Sequence, residues 1–141
     1  MTIKDENFHE KWYIINKKGE IVMESPYGQI IYFDDNIFQV WSDGKSGFMD
    51  KNGKIIIEPR FDIVHDFSEG LARFKENGKW GFIDKNLEVV IPAQFESVGD
   101  FVHGLADIYV GGSYAQLLWG NDKTKKGYIN KNGEYIWKPT N

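Results

Sequence analysis

The sequence predicts an all-β protein of tandem antiparallel meanders, and three observations carry that expectation. One phrase recurs along the chain, as KWYIINKK from Lys11, KSGFMDKN from Lys45, KWGFIDKN from Lys79 and KKGYINKN from Lys125. Turn signals such as Asn-Gly separate short runs rich in Ile, Val and aromatic residues, the pattern of strands joined by tight turns. No window of helical length sustains apolar residues at i, i+3, i+4 and i+7, because Gly or Asn-Gly interrupts each one.

The repeat has a measurable period. Tyr13, Gly47, Gly81 and Gly127 occupy one position of the phrase, at spacings of 34, 34 and 46, so the last copy carries an insertion of 12 residues. Aligning 47–80 with 81–114 gives 14 identities in 34 positions, where ordinary residue usage gives roughly two. A repeat of this period is read as a supersecondary unit before any residue is read as a site. The expectation is a single domain over 1–141 with four repeats, about 3–36, 37–70, 71–104 and 105–141, and the insertion near 111–125.

Within a repeat the elements follow in order. Leu71 to Lys75 leads through Asn77-Gly78 into Lys79 to Asp84, with Asp43-Gly44 as the equivalent turn one repeat earlier; both dipeptides favour two-residue hairpins. Asp50-Lys51-Asn52-Gly53 follows, where Asp bonds backbone from the first turn position and Gly takes the left-handed one. Lys54 to Glu58 forms a third strand, expected to end at Pro59, which has no amide to donate. A longer connection, RFDIVHDFSEG or QFESVGDFVHG, closes at Gly70 or Gly104 with a left-handed residue, for which Asn36 stands in the first copy. Phe61, Phe67, Phe95, Phe101, Tyr27 and Phe33 fall at matching places and read as core plugs beneath these connections. Four units of three strands give about twelve strands, with Ile3 to Phe8 matching its place badly. Repeated meanders of this kind are compatible with an open barrel, a propeller-like ring or a solenoid.

Alternation places Trp80, Phe82 and Asp84 on one face of a strand, and Gly81 and Ile83 on the other. Apolar side chains on both faces describe a strand covered on both sides. A Gly within such a strand marks a bulge or the close approach of another backbone. Trp80 then reads as a packing wedge, and its replacement by Ser46 or Lys126 elsewhere fits local packing better than a ligand-gripping role. Leu87 stands where the other turns have Gly19, Gly53 and Gly133. A left-handed Leu costs about 1 to 2 kcal/mol relative to Gly, so Leu87→Gly is expected to stabilise.

Composition narrows the class. The 141 residues suit one domain, and 41% hydrophobic with 27% charged residues is a folding composition. A net charge of −4, with both signs scattered, disfavours nucleic acid. Without Cys, disulfides, thiolate nucleophiles and cysteine metal sites are excluded. The charged N-terminal MTIKDENFHEKW has no apolar signal core, and no run reaches the roughly 20 apolar residues a membrane helix needs. The expectation is a soluble, cytoplasmic chain with no membrane association.

The phrase KWGFIDKN followed by EVVIPAQFESVGDFVHGLA, and the near match KSGFMDKNGKIIIEPRFDIVHDFSEGLARF, resemble the WG-repeat family of bacterial proteins. The resemblance covers about the whole chain, although the first copy lacks the Gly and the last is interrupted. It implies an all-β structural repeat and carries over no catalytic residue.

Candidate sites are few. The insertion places Tyr114, Leu117, Leu118 and Trp119 at a hairpin tip, as a partner-binding patch or as a cap on the last repeat's edge. Trp41 and Trp137 depart from the repeat, standing where other copies have Lys75 and Ile57, and exposed rings there would anchor a partner or stack on sugars. His9, His65 and His103 share no repeat position and no metal-ligand spacing, so they read as solvated side chains rather than a zinc site. Asp66 recurs as Asp100, which fits a backbone-bonding role in the connection rather than a catalytic pair with Glu69; Asp34-Asp35 reads the same way. No GxSxG, phosphate loop or dinucleotide fingerprint is present. No catalytic residue, cofactor or metal is expected. The function expected is a non-catalytic protein-binding module. Its alternatives are an immunity-type inhibitor of a toxin and a carbohydrate-binding module using exposed Trp. A hydrolase with carboxylates gathered across strands stays as the enzyme alternative, and self-association through open sheet edges is a further expectation.

Overall fold

The computed structural model describes residues 2–4, 10–34, 36–111 and 123–137. It is all-β, with fifteen strands among the described residues: β1 (Thr2–Lys4), β2 (Glu10–Ile15), β3 (Ile21–Glu24), β4 (Ile30–Asp34), β5 (Ile37–Ser42), β6 (Lys45–Asp50), β7 (Ile55–Phe61), β8 (Ile63–Val64), β9 (Leu71–Glu76), β10 (Lys79–Asp84), β11 (Val89–Phe95), β12 (Ser97–Val98), β13 (Leu105–Val110), β14 (Lys125–Asn130) and β15 (Tyr135–Trp137). They form antiparallel meanders in chain order: β1-β2-β3, β4 to β7, β8 to β11 and β12 to β15. The expected twelve strands rise to fifteen because each connection adds a short strand, β4, β8 or β12, to the sheet that follows it.

That added strand exists because the connection closes more tightly than its sequence suggested. Glu69 and Gly70 are both left-handed (φ 52° and 84°), as are His103 and Gly104 (54° and 79°). Two successive left-handed residues make a two-residue hairpin turn of the same kind as Asp43-Gly44 and Asn77-Gly78. Ser68 and Leu71 exchange backbone hydrogen bonds across the first of these turns, and Val102 and Leu105 across the second. Neither SEGL nor VHGL carries an Asn-Gly or Asp-Gly dipeptide, so this hairpin was missed; Asn36 is left-handed as expected (φ 66°).

The second turn type follows its sequence. Asp50 Oδ1 accepts from the amides of Asn52 (2.8 Å) and Lys54 (2.9 Å), and Gly53 donates back to Asp50 O. Asn16, Asp84 and Asn130 make the same pair of bonds in the other repeats. Leu87 keeps the left-handed conformation of the glycines it replaces (φ 61°).

The third strand differs from expectation at its end. Pro59 lies inside β7, and Pro92 inside β11. The pairing runs Phe48↔Ile57 and then Ser46↔Phe61, so two extra residues bulge on β7; β10 and β11 repeat this with Phe82↔Ile91 and Trp80↔Phe95. A proline within the bulge gives up no ladder bond. The bulged backbone crosses close over the glycine of the partner strand. A Cβ on Gly47 would meet Ile57 O and lie 2.6 Å from Pro59 N, and one on Gly81 would meet Ile91 O and lie 2.7 Å from Ala93 N. The first repeat has Tyr13 at this place, and there the pairing stays regular through Tyr13↔Glu24.

The chain divides into two compact units, 1–61 and 62–141. In 1–61, Met23, Ile30, Val40 and Met49 form a core flanked by Trp12, Ile14, Tyr27, Phe38 and Ile55. In 62–141, Leu71, Phe82, Ile91, Phe95 and Val98 join Phe101, Ala106, Ile108 and Ile129, with Trp80 packed against them. Phe61, Phe95 and Phe101 are buried plugs, while Tyr27, Phe33 and Phe67 are half-buried.

Candidate functional site

Trp137 lies on β15 opposite Tyr128, the register that Ile91 holds opposite Phe82. Its ring stacks on Tyr128 with centroids 5.8 Å apart and planes at 20°, and it stays 55% exposed. Lys126 Nζ sits 5.0 Å from the Tyr128 centroid and 3.3 Å from Asp107 Oδ2. The Tyr128 side chain first, and then the Asp107 carboxylate, hold the ammonium above its ordinary pKa against the opposing effect of burial. Tyr135 on the same strand meets Phe95 edge to face at 6.4 Å and is 44% exposed.

Trp41, in the other unit, is half-buried on β5, its amide donating to Gln29 O and its carbonyl accepting from Gly28. The same unit holds a groove of about 290 Å³ lined by Tyr27, Ser42, Asp43, Lys45, Glu58 and Pro59, with Trp41 not among its lining residues. Ligand pockets begin near about 300 Å³, so this groove fits one side chain or a very small molecule.

Tyr114, Leu117, Leu118 and Trp119 lie outside the described residues. The two ends of their insertion are drawn together at the tip of the β13–β14 hairpin, whose pairing runs out to Val110↔Lys125. Gly111 N donates to Glu96 Oε2 (2.7 Å), and Thr124 Oγ1 donates to Gly111 O (3.4 Å).

A polar cluster surrounds Trp80 in 62–141. His65 stacks on its ring at 5.6 Å and 27°, with the Arg73 guanidinium 5.4 Å and Lys75 Nζ 6.0 Å from the centroid. Arg73 Nη1 donates to Val98 O (2.8 Å), while its Nε lies 3.1 Å from Asp100 Oδ1 as an ion pair without hydrogen-bond geometry. His65 is therefore not the solvated side chain expected. Burial, and then the nearby Arg73 charge, lower its pKa, with Asp100 and Asp66 acting in the other direction. Asp100 serves an ion pair rather than the backbone bond expected of it. His103 is an exposed turn residue, and His9 lies outside the described residues.

Further contacts tie one repeat to the next in this unit. Glu69 Oε1 accepts from Gly104 N (2.9 Å), Ser68 Oγ donates to Phe101 O (2.7 Å), and Lys131 Nζ donates to Glu69 O (2.8 Å). Glu69 thus ties its turn to two later turns in this unit. Among the described residues no three His, Asp or Glu side chains gather as a metal site, and no helix is long and apolar enough to cross a membrane.

These meanders, their shared Asx turns and their glycine-spanning bulges define an all-β tandem-repeat protein. The model of the WG containing repeat matches residues 47–80 and 80–114, so the chain carries two tandem copies of the WG repeat. No curated protein and no solved structure matches.

Proposed function

We propose that the chain is a non-catalytic protein-binding module, its sheets serving as a rigid frame for exposed apolar side chains. The observation behind this reading is in 1–61, where the consecutive strands β3 and β4 expose Ile21, Val22, Ile31 and Tyr32. Large apolar groups held on hydrogen-bonded strands lose little entropy on docking and favour a protein partner. The cytoplasm, and a partner that is neither nucleic acid nor membrane, belong to the same reading.

The test begins with capture of proteins from the source cells on the purified chain. Any partner is then remade pure and titrated against the chain by calorimetry. Tyr32→Ala with Ile31→Lys is expected to weaken a one-to-one complex at least about tenfold. Replacing residues 113–122 by a short turn assigns or removes a contribution from Tyr114, Leu117, Leu118 and Trp119. A complex indifferent to both changes, or no partner for the folded chain, removes the reading.

A narrower version is an immunity-type protein that neutralises a basic toxin, for which the net charge of −4 speaks. Its association rate would then fall steeply with salt. The second reading is carbohydrate binding, favoured by the exposed, stacked ring of Trp137. Oligosaccharides would quench tryptophan emission in the wild type and not in Trp137→Phe; no quenching across a panel removes it.

A further inference from the structure

Within each unit, successive sheets are joined by the same knob and socket. The knob is the third residue of a sheet's last strand, and the socket is the left-handed glycine ending the Asx turn of the next sheet. In 1–61 the knob is Met23, buried, with its Cγ 3.6 Å from the Cβ position of Gly53. In 62–141 it is Ile91, 1% exposed, with its Cγ1 3.3 Å from the Cβ position of Gly133. The two glycines share one conformation, φ 84° and 81°, and end the equivalent turns 50–53 and 130–133. Without a Cβ on the glycine, the knob settles directly onto the turn.

Two members of this set are not engaged in that way. Gly19 ends the same turn in the first sheet with φ 83°, and no described atom lies within 4 Å of its Cβ position. Trp137 holds the knob register of the last sheet and is more than half exposed, its ring already ordered on Tyr128. Apolar side chains flank both: Ile21 and Val22 follow the Gly19 turn, each 57% exposed, and Tyr135 and Ile136 precede Trp137.

We propose that Trp137 of one copy docks on the Gly19 turn of a second copy, continuing between chains the sheet-on-sheet packing used within each unit. The occupant is a second copy because the same chain carries both halves of a contact it already makes internally. Made in one direction only, such a contact is heterologous and builds rings or open chains of copies; made reciprocally, it closes a two-fold dimer. It does not rest on the foreign partner considered above, although the two surfaces share Ile21 and Val22 of β3.

Sedimentation velocity and light scattering of the full chain over a concentration series provide the test. The expected result is a mass that rises with concentration, with Trp137→Ala and Gly19→Asn each raising the dissociation constant at least about tenfold. Asn suits the second change because it tolerates positive φ, as Asn36 does at 66°. An equal mixture of the two variants should recover a complex of two chains and nothing larger, because one variant keeps its socket and the other its knob. Circular dichroism checks that each variant is folded, and Trp137→Gln or Gly19→Asp replaces one that is not.

Three results would overturn the proposal. They are a wild type that stays monomeric to roughly 300 µM, association that persists through both changes, and a mixture that is not rescued. An unrescued mixture in which Trp137→Ala alone abolishes association indicates a two-fold contact between Trp137 rings instead.

Discussion

At Leu87 two effects of similar size oppose each other. Left-handed backbone costs a Leu about 1 to 2 kcal/mol relative to Gly, but its side chain is only 6% exposed. Burying a Leu is worth about 1.5 to 3 kcal/mol, and a glycine adds about 0.5 to 1 kcal/mol of unfolded-chain entropy. The stabilisation expected of Leu87→Gly from sequence therefore reverses: the change should lower stability by about 1 kcal/mol or a little more, lowering Tm by roughly 3 °C. Calorimetry reads the sign directly. Ser46, which stands at the Trp80 place of the previous repeat, buries a hydroxyl with no hydrogen-bond partner among the described residues. Ser46→Ala should raise stability by about 1 kcal/mol in a denaturant titration, because it removes an unmet desolvation cost. His65 adds a pH dependence. Its folded pKa lies below the unfolded value of about 6.5, so the unfolded chain binds more protons between the two values. Stability is lost as pH falls through about 6.5 towards the folded pKa. His65→Phe keeps a ring against Trp80 and should flatten the fall in Tm between about pH 7 and pH 5; equal slopes in both proteins would refute this.

Among the elements, the glycine-spanning bulge is the least tolerant of change. A Cβ at Gly81 would press on Ile91 O, on Ala93 N at 2.7 Å and on Phe74 Cζ at 2.8 Å. Two of these are backbone atoms of the bulged strand and cannot rotate away. Gly81→Ala should cost about 3 kcal/mol or more, shown as a large drop in the urea midpoint; a loss under about 1 kcal/mol would mean that β11 lifts off cheaply. The Asx turns and Asn-Gly hairpins were legible because their residues act on backbone only two to four positions away. The Glu69-Gly70 and His103-Gly104 hairpins were not. The side chain of Glu69 is held by Gly104 N, 35 residues onward, and Lys131 bonds its carbonyl from 62 residues away. Pro59 misled for a related reason: a bulge is a relation between two strands, and a proline shows only that one amide is missing.

For the whole molecule, 62–141 carries its own core, Leu71 to Ile129, together with its own repeat-to-repeat ties through Ser68, Glu69 and Arg73. Expressed alone, that segment should unfold cooperatively with coincident transitions by circular dichroism and tryptophan emission; a non-cooperative melt would show that its core needs residues outside it. By itself the sequence determined the all-β class, the repeat, both local turn types and the need for glycine at 47 and 81. Each of these depends on neighbours along the chain or on comparison between copies. Only the tertiary structure decided that Leu87 is buried, that His65 stacks on Trp80, and that Trp137 is exposed where Ile91 is covered. Burial and exposure are set by what packs on a strand, which the strand's own alternation of residues does not record.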